Sequence, residues 1–281
     1  MINNRDIRIA VLMTVHNRKD ITIKCLSNLN NQEGIEGLRI DVFLTDDGST
    51  DGTAELIKET FPSVNIIKGD GSLFWNRGMY VAWKEAALND YDYYLWLNDD
   101  TMLYKDALEN LLRVENEVGG RSIVVGSICS KYNPEIVTYG GRSNGKLIHP
   151  RGEIKSVKEI NGNVVLIPRE VFNSIGYNDP YYHHSSGDVD YGLMAVENGF
   201  VNYITDVFVG SCERHDNSRK CWNPQYGVIT RFKYLYSPLG YPPNEEFHFY
   251  RKHSNLCKAF WMSIRCQLKT LFPYIKLNKN K

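Results

Sequence analysis

The sequence predicts an α/β fold with a mostly parallel central sheet flanked by helices. Three observations carry this expectation. Short apolar runs recur through the first half, stretches of helical spacing separate them, and polar or acidic residues follow the runs directly. Strands joined through helices form right-handed βαβ units. Their strands are covered on both faces and therefore read as nearly continuous apolar segments.

Residues 7–14 (IRIAVLMT) are the first such run. Asp20 is placed to cap the helix that follows, in which Ile21, Cys25, Leu26 and Leu29 recur at helical spacing. Residues 40–45 (IDVFLT) are the second strand, and the turn Asp46-Asp47-Gly48-Ser49 leads to a helix opened by Asp51 or Thr53 and ended before Pro62. Residues 64–68 give a third strand, 76–88 a helix, 93–97 (YYLWL) a fourth strand, 105–117 a helix and 123–126 a fifth strand. The second half is less regular. Short β-like pieces at 136–139 and 164–167 lie among Gly/Asn/Pro-rich loops, and 169–174 reads as a short helix. The polar loop 183–187 then leads into a helix with Val189, Leu193 and Val196 on one face and Gly199 as its stop. Residues 201–209 are a further strand.

The chain of 281 residues, 42 % hydrophobic, can bury one sizeable core with a small appendage. The opening MINNRDIRIA reads as running into a strand, unlike a secretory signal, and no apolar window is long enough to span a membrane. Six scattered cysteines without a C-x-x-C pair read as the reduced thiols of a cytoplasmic protein. The zero formal charge hides an asymmetry. Residues 251–281 hold eight Lys/Arg and no Asp or Glu, so the other 250 residues carry 25 basic side chains against 33 acidic ones.

In parallel sheets, ligands bind at the carboxyl ends of the strands. That rule sends His16, Asn17 and Arg18, Asp46 and Asp47, and Asn98, Asp99 and Asp100 to one cleft. Adjacent carboxylates at a strand end repel each other and are partly desolvated, a cost that Mg²⁺ or Mn²⁺ removes. A solvated turn capping the next helix accounts for the same tripeptide. Asp46 and Asp47 suit base N–H or ribose contacts, or an ordinary capping turn. Asp188, in Gly187-Asp188-Val189-Asp190, is a general base or a helix cap, and His215 a third metal ligand or a surface histidine.

Taken in order, T-V-H-N-R at 14–18, L-T-D-D-G-S-T-D-G-T at 44–53, L-W-L-N-D-D-T at 95–101 and G-D-V-D-Y-G-L at 187–193 resemble family 2 inverting glycosyltransferases of the GT-A fold. The likeness runs over about residues 7–218. Gly69–Trp75, before an apolar helix, resembles the rhamnosyltransferase-like bacterial branch. The resemblance implies a catalytic domain at 1–220, with a nucleotide-binding half to about 127 and an acceptor half beyond, and a C-terminal extension at 221–281. It gives Thr14, His16, Asn17, Arg18, Asp46, Asp47, Asn98 and Asp99 to the nucleotide sugar. Asp100, with Asp99 beside it, and His215 go to Mn²⁺ or Mg²⁺ on the donor diphosphate, and Asp188 becomes the base. Two departures stand out. Asn98 occupies the first position of the family's D-x-D motif, and Gly187 replaces the glutamate of its E-D pair.

Trp75 is a candidate for the donor sugar, and Tyr182, His183 and His184 for the acceptor side; each aromatic suits core packing equally. Residues 255–274 suit an amphipathic helix on an anionic membrane surface, or one docked on the protein. The implied enzyme moves a hexose, rhamnose among them, from a nucleotide sugar to a saccharide or lipid-linked acceptor. It would do so at the cytoplasmic face of the membrane, in cell-surface polysaccharide synthesis, with no nucleic acid partner. A sugar nucleotidyltransferase is the first rival, but T-V-H-N-R lacks the glycines that cradle a triphosphate. A non-catalytic sugar-binding subunit is the second.

Overall fold

In the computed structural model, which describes residues 7–214 and 220–274, the first half folds as its pattern requires. β1 (Ile7–Val15) is followed by α1 (Lys19–Asn30), β2 (Leu38–Asp46), α2 (Thr53–Thr60), β3 (Asn65–Lys68), α3 (Phe74–Ala86) and β4 (Tyr93–Leu97). A short β5 (Met102–Leu103), α4 (Ala107–Glu117) and β6 (Ile123–Cys129) continue the alternation. Asp20 does not cap α1. Arg18 holds the cap position without a side-chain bond, and Asp20 lies in the first turn, where its charge favours the positive end of the helix dipole. Of the two openers expected at α2, Thr53 is the first helical residue, Gly52 holds the cap position, and Asp51 Oδ1 accepts from Thr53 N at 3.1 Å from outside the helix.

The irregular half supplies β7 (Val137–Tyr139), the hairpin of β8 (Arg142–Ser143) and β9 (Lys146–Leu147), β10 (Lys155–Val157), β11 (Val164–Pro168), α5 (Arg169–Ile175), α6 (Gly187–Glu197) and β12 (Asn202–Ser211). The main sheet has the order β10-β12-β6-β11-β4-β1-β2-β3 among the described residues. β3, β2, β1 and β4 run parallel, β11 lies antiparallel between β4 and β6, and β12 is parallel to β6. The halves expected at 1–127 and 128–220 therefore share one sheet. The five residues of β11 are all buried, which is why an inconspicuous V-V-L-I-P segment can be a central strand.

Alternation along β1 divides the core. Ile9, Val11, Met13 and Val15 face α1 and α4 through Cys25, Leu26, Leu29, Leu108 and Leu111. Ala10 and Leu12 face α3 and α6 through Met79, Ala82, Trp83, Tyr191 and Ala195. The sheet's near-continuous hydrophobicity is thus used on both sides.

The described residues form two compact units, 7–180 with 187–214, and 181–186 with 220–274. In the second unit, a short 3₁₀ helix (Lys220–Trp222), α7 (Val228–Leu235), α8 (Pro243–His253) and α9 (Leu256–Leu271) pack together. α9 is capped by Asn255, whose side chain accepts from Lys258 N. It docks through Ala259, Met262, Arg265, Cys266 and Thr270, and Lys269 Nζ lies 3.7 Å from the Trp222 ring centroid. Its outward face, Leu256, Phe260, Trp261, Ile264 and Leu271, is apolar and exposed. No helix among the described residues is long and apolar enough to cross a membrane.

Candidate active site

Because β1, β2 and β4 run parallel, their carboxyl ends open on the same edge of the sheet. β11 runs the other way, so the loop Asn161-Gly162-Asn163 before it joins that edge. A nearly continuous run of hydrogen bonds and close contacts links the sequence-predicted residues there.

After β1, His16 Nδ1 donates to the carbonyl of Asp47 (2.6 Å), and its Nε2 faces Asn17 Nδ2 at 3.0 Å. A carbonyl only accepts, which fixes the proton on Nδ1. Asn17 adopts φ +52°, and it is held there by its N–H to Ser49 Oγ (2.9 Å) and by its Oδ1 accepting from Thr50 N (2.7 Å). Thr14 lies beside Gly78 of α3 so closely that a Cβ at Gly78 would overlap the threonine side chain.

The two aspartates after β2 divide the work. Asp46 Oδ1 accepts from Ser49 N (3.0 Å). Asp47 spends both oxygens on the following loop, Oδ1 accepting from Gly71 N and Oδ2 from Phe74 N, each at 2.8 Å. Phe74, at φ +58°, is kept in a conformation L-residues rarely adopt. Asp47 thus holds the loop that leads into α3, while Asp46 holds its own turn through one oxygen.

After β4, Asn98 Oδ1 accepts from Trp75 Nε1 (2.7 Å), and Trp75 packs edge-on to Trp96 with its ring against Gly162. Asp99 and Asp100 are only 5 % and 8 % exposed. Arg18 Nη1 donates to Asp99 Oδ1 (2.9 Å) and Asp100 Oδ2 (2.8 Å), so the capping-turn reading of this acidic pair yields to a buried charge cluster. Burial lifts the Asp99 carboxyl to about 6, against the pull of Arg18 and with the push of Asp100. On Arg18 itself burial works the other way, but the two carboxylates outweigh it and keep the guanidinium charged.

Two thiols border the pair. Cys212 Sγ lies 3.6 Å from Asp100 Oδ1, and Cys25 Sγ 3.3 Å from the Asn98 carbonyl. Burial and the adjacent carboxylates push the Cys25 thiol up and that of Cys212 to about 12, which keeps both protonated. The carboxylate oxygens of the pair are donors that suit a hard divalent cation. Among the described residues, no three His, Cys, Asp or Glu side chains gather around one point. His215 lies outside the described residues.

Asp188 opens α6 half-buried. Its Oδ2 accepts from Asn161 Nδ2 and from Gly162 N, both at 3.0 Å, and its Oδ1 from Val189 N at 2.8 Å. The departure at Gly187 has a steric cause: a Cβ there would overlap the side chain of Asn76, which Asn178 holds through its Nδ2 (2.8 Å).

The family model described as "Glycosyl transferase family 2" matches residues 10–167, more than half of the chain. The chain belongs to this family. Among solved structures, this family 2 glycosyltransferase is similar to S. aureus TarS residues 1–349, with a TM-score of 0.59 and 13 % identity over 97 % of this chain and 73 % of that one. TarS 1–349 in complex with UDP-GlcNAc gives 0.58 and 12 % over 94 % and 90 %. The mannosyltransferase PcManGT from Pyrobaculum calidifontis, in complex with GDP-Man and Mn²⁺, gives 0.52 and 16 % over 94 % and 74 %. A search of curated protein sequences finds no match. These likenesses establish the GT-A fold that the four motifs led us to expect.

The remaining sequence candidates lie in the second unit. Tyr182 is fully buried, edge-on to His248, so packing is the reading its burial matches. His183 Nδ1 is 2.6 Å from Glu245 Oε1, and His184 is half-buried. Sequence reasoning missed Asn161, Gly162, Asn163 and Cys212. A glycine between two asparagines ahead of an apolar strand was the available signal, and only the antiparallel course of β11 gives it meaning.

Proposed function

We propose that this glycosyltransferase moves a hexosyl group from a nucleoside-diphosphate sugar to an acceptor hydroxyl in one in-line displacement with inversion. The observation that carries the reading is Asp188. Its carboxylate is fixed by a loop that also holds the end of β4, where the acidic pair lies. The acceptor oxygen forms its bond to the anomeric carbon as the bond to the diphosphate breaks, Asp188 takes the hydroxyl proton, and the nucleoside diphosphate leaves.

On the donor side, Asp46 and the segment His16-Asn17-Arg18 bind the nucleotide, and Asp47 holds the loop that walls it. Thr14 backs this wall against α3. Trp75 lines the sugar position beside Asn98. Asp100, with Asp99, would hold Mn²⁺ or Mg²⁺, and the family resemblance would add His215 as a further ligand. When bound, the cation neutralises charge on the diphosphate. Support for these partners comes from the structural neighbours, of which TarS was solved with UDP-GlcNAc and PcManGT with GDP-Man and Mn²⁺. The motif at Gly69–Trp75 favours rhamnose among the hexoses, and a saccharide or lipid-linked acceptor of a cell-surface polysaccharide. The outward apolar face of α9 supports a position on an anionic membrane surface, at its cytoplasmic side.

Nucleoside diphosphate release from UDP-, GDP- and dTDP-sugars with Mn²⁺ tests the activity, and release of inorganic diphosphate from a triphosphate would indicate nucleotidyl transfer instead. Asp188→Asn is expected to lower turnover by about 10²–10⁴, the usual weight of a general base, with donor affinity by calorimetry unchanged. Near-normal turnover would remove Asp188 from the mechanism.

A further inference from the structure

We infer that Asn161 is a positioning residue for the Asp188 base, and that Gly162 is the residue that makes this possible. The inference rests on the proposed role of Asp188. A base on the first turn of a helix must present one oxygen to the acceptor at a fixed angle, and its side chain has two torsions free to spoil that angle. A single donor fixes a point on the carboxylate. Here the Asn161 amide and the Gly162 N–H converge on the same oxygen, Oδ2, from two successive residues.

The amide of Asn161 has no competing task. Its Oδ1 is buried without a hydrogen-bond partner, and its Nδ2 is spent on Asp188. Turning the amide over would set oxygen against carboxylate oxygen, so Asp188 dictates its orientation. A buried, unanswered acceptor costs stability, and nothing else that this side chain does offsets the cost. At Gly162 a Cβ would overlap the Trp75 indole and come within 3.4 Å of Asp188 Cβ. Only a residue without a side chain lets this backbone reach the carboxylate.

The far end of the same loop is anchored on the acidic pair's strand. The Asn163 carbonyl accepts from Asn98 N (2.9 Å), and Asn163 Nδ2 donates to Thr101 Oγ1 (3.2 Å). Three consecutive residues therefore tie the orientation of the base to the strand end that carries Asp99 and Asp100.

A double-mutant cycle tests the inference, with nucleoside diphosphate release from the best-used sugar of the donor panel as the readout. Asn161→Ala is expected to lower kcat about 10- to 100-fold, the range a misplaced reacting group costs, while donor KM stays within about twofold. In an Asp188→Asn background the same change should cost less than about threefold, because a residue acting through another has nothing left to act on. Asn161→Asp keeps the shape but sets a second carboxylate against Asp188, so it should lose at least as much kcat as Asn161→Ala, and the loss should ease as pH falls and the pair shares a proton. Equal losses in both backgrounds, or a rise in donor KM that accounts for the whole effect, would overturn the positioning role while leaving the base in place. A fully active Asp188→Asn enzyme would remove the base itself. No release from any donor by the unsubstituted protein would overturn both.

Discussion

Arg18 donates through one nitrogen to Asp99 and Asp100, setting one positive charge against two carboxylates almost out of solvent. Removing one member of such a cluster leaves charge stranded in a medium that solvates it poorly. The Arg18 side chain is itself 37 % exposed, which tempers the loss. Arg18→Ala should therefore destabilise the metal-free protein by about 1–3 kcal/mol in urea unfolding, toward the lower side of what broken buried pairs cost. Millimolar Mn²⁺ should then raise the melting temperature of Arg18→Ala more than that of the unsubstituted protein, since the cation takes over the missing charge. An equal or smaller shift would mean that the acidic pair is not the cation's seat. The motif placed Arg18 beside the nucleotide, but its hold on Asp99 and Asp100 spans more than eighty residues of sequence. No local pattern carries that.

Helix α3 shows what an element needs in order to bring such residues together. Its Gly78 meets Thr14 of β1 with no room for a Cβ, and its Gly78 carbonyl accepts from Thr45 Oγ1 of β2 at 2.8 Å. Gly78→Ala should push α3 off the sheet and cost about 1–3 kcal/mol, as overpacking does, and it should weaken donor binding because Phe74 and Trp75 begin the same helix. Urea unfolding checks the first effect and calorimetry with the nucleoside diphosphate the second; an unchanged unfolding midpoint would show that the contact relaxes freely. Elements with strong periodicity, β1 to β4, β6 and the helices between them, were legible because period and burial coincide there, whereas the two-residue β5 is too short to show a period. β11 and its preceding loop were legible only as an apolar piece and a polar one. Strand order is set by pairing between distant segments, so a five-residue run could not declare itself central, nor could Asn161 declare a partner 27 residues away. Capping was misread at Asp20 for a related reason: Arg18 holds the start of α1 while its side chain is engaged by the acidic pair.

For the whole chain, the zero net charge conceals a segregation, with eight basic residues and no acidic one from 251 to 281. The sequence suits an amphipathic helix over 255–274, on an anionic membrane surface or docked on the protein. The structure buries Arg265, lays Lys269 over Trp222, and leaves outward a stripe of Leu256, Phe260, Ile264 and Leu271 in a segment that also exposes Arg251, Lys252 and Lys258. An exposed apolar stripe in a positively charged segment matches the interface of an anionic bilayer, where apolar burial and attraction to lipid headgroups add. A second copy of the chain would instead set two basic segments against each other. Full-length protein should therefore co-sediment with vesicles containing anionic lipid, less so as salt rises, and poorly with zwitterionic vesicles. Phe260→Ser with Ile264→Ser removes two exposed side chains, so the fold should persist. If each buries about 1.5 kcal/mol or more in the bilayer, the double variant should bind at least about tenfold more weakly. Recovery equal to that of the unsubstituted protein, at every salt concentration, would return α9 to a purely structural role.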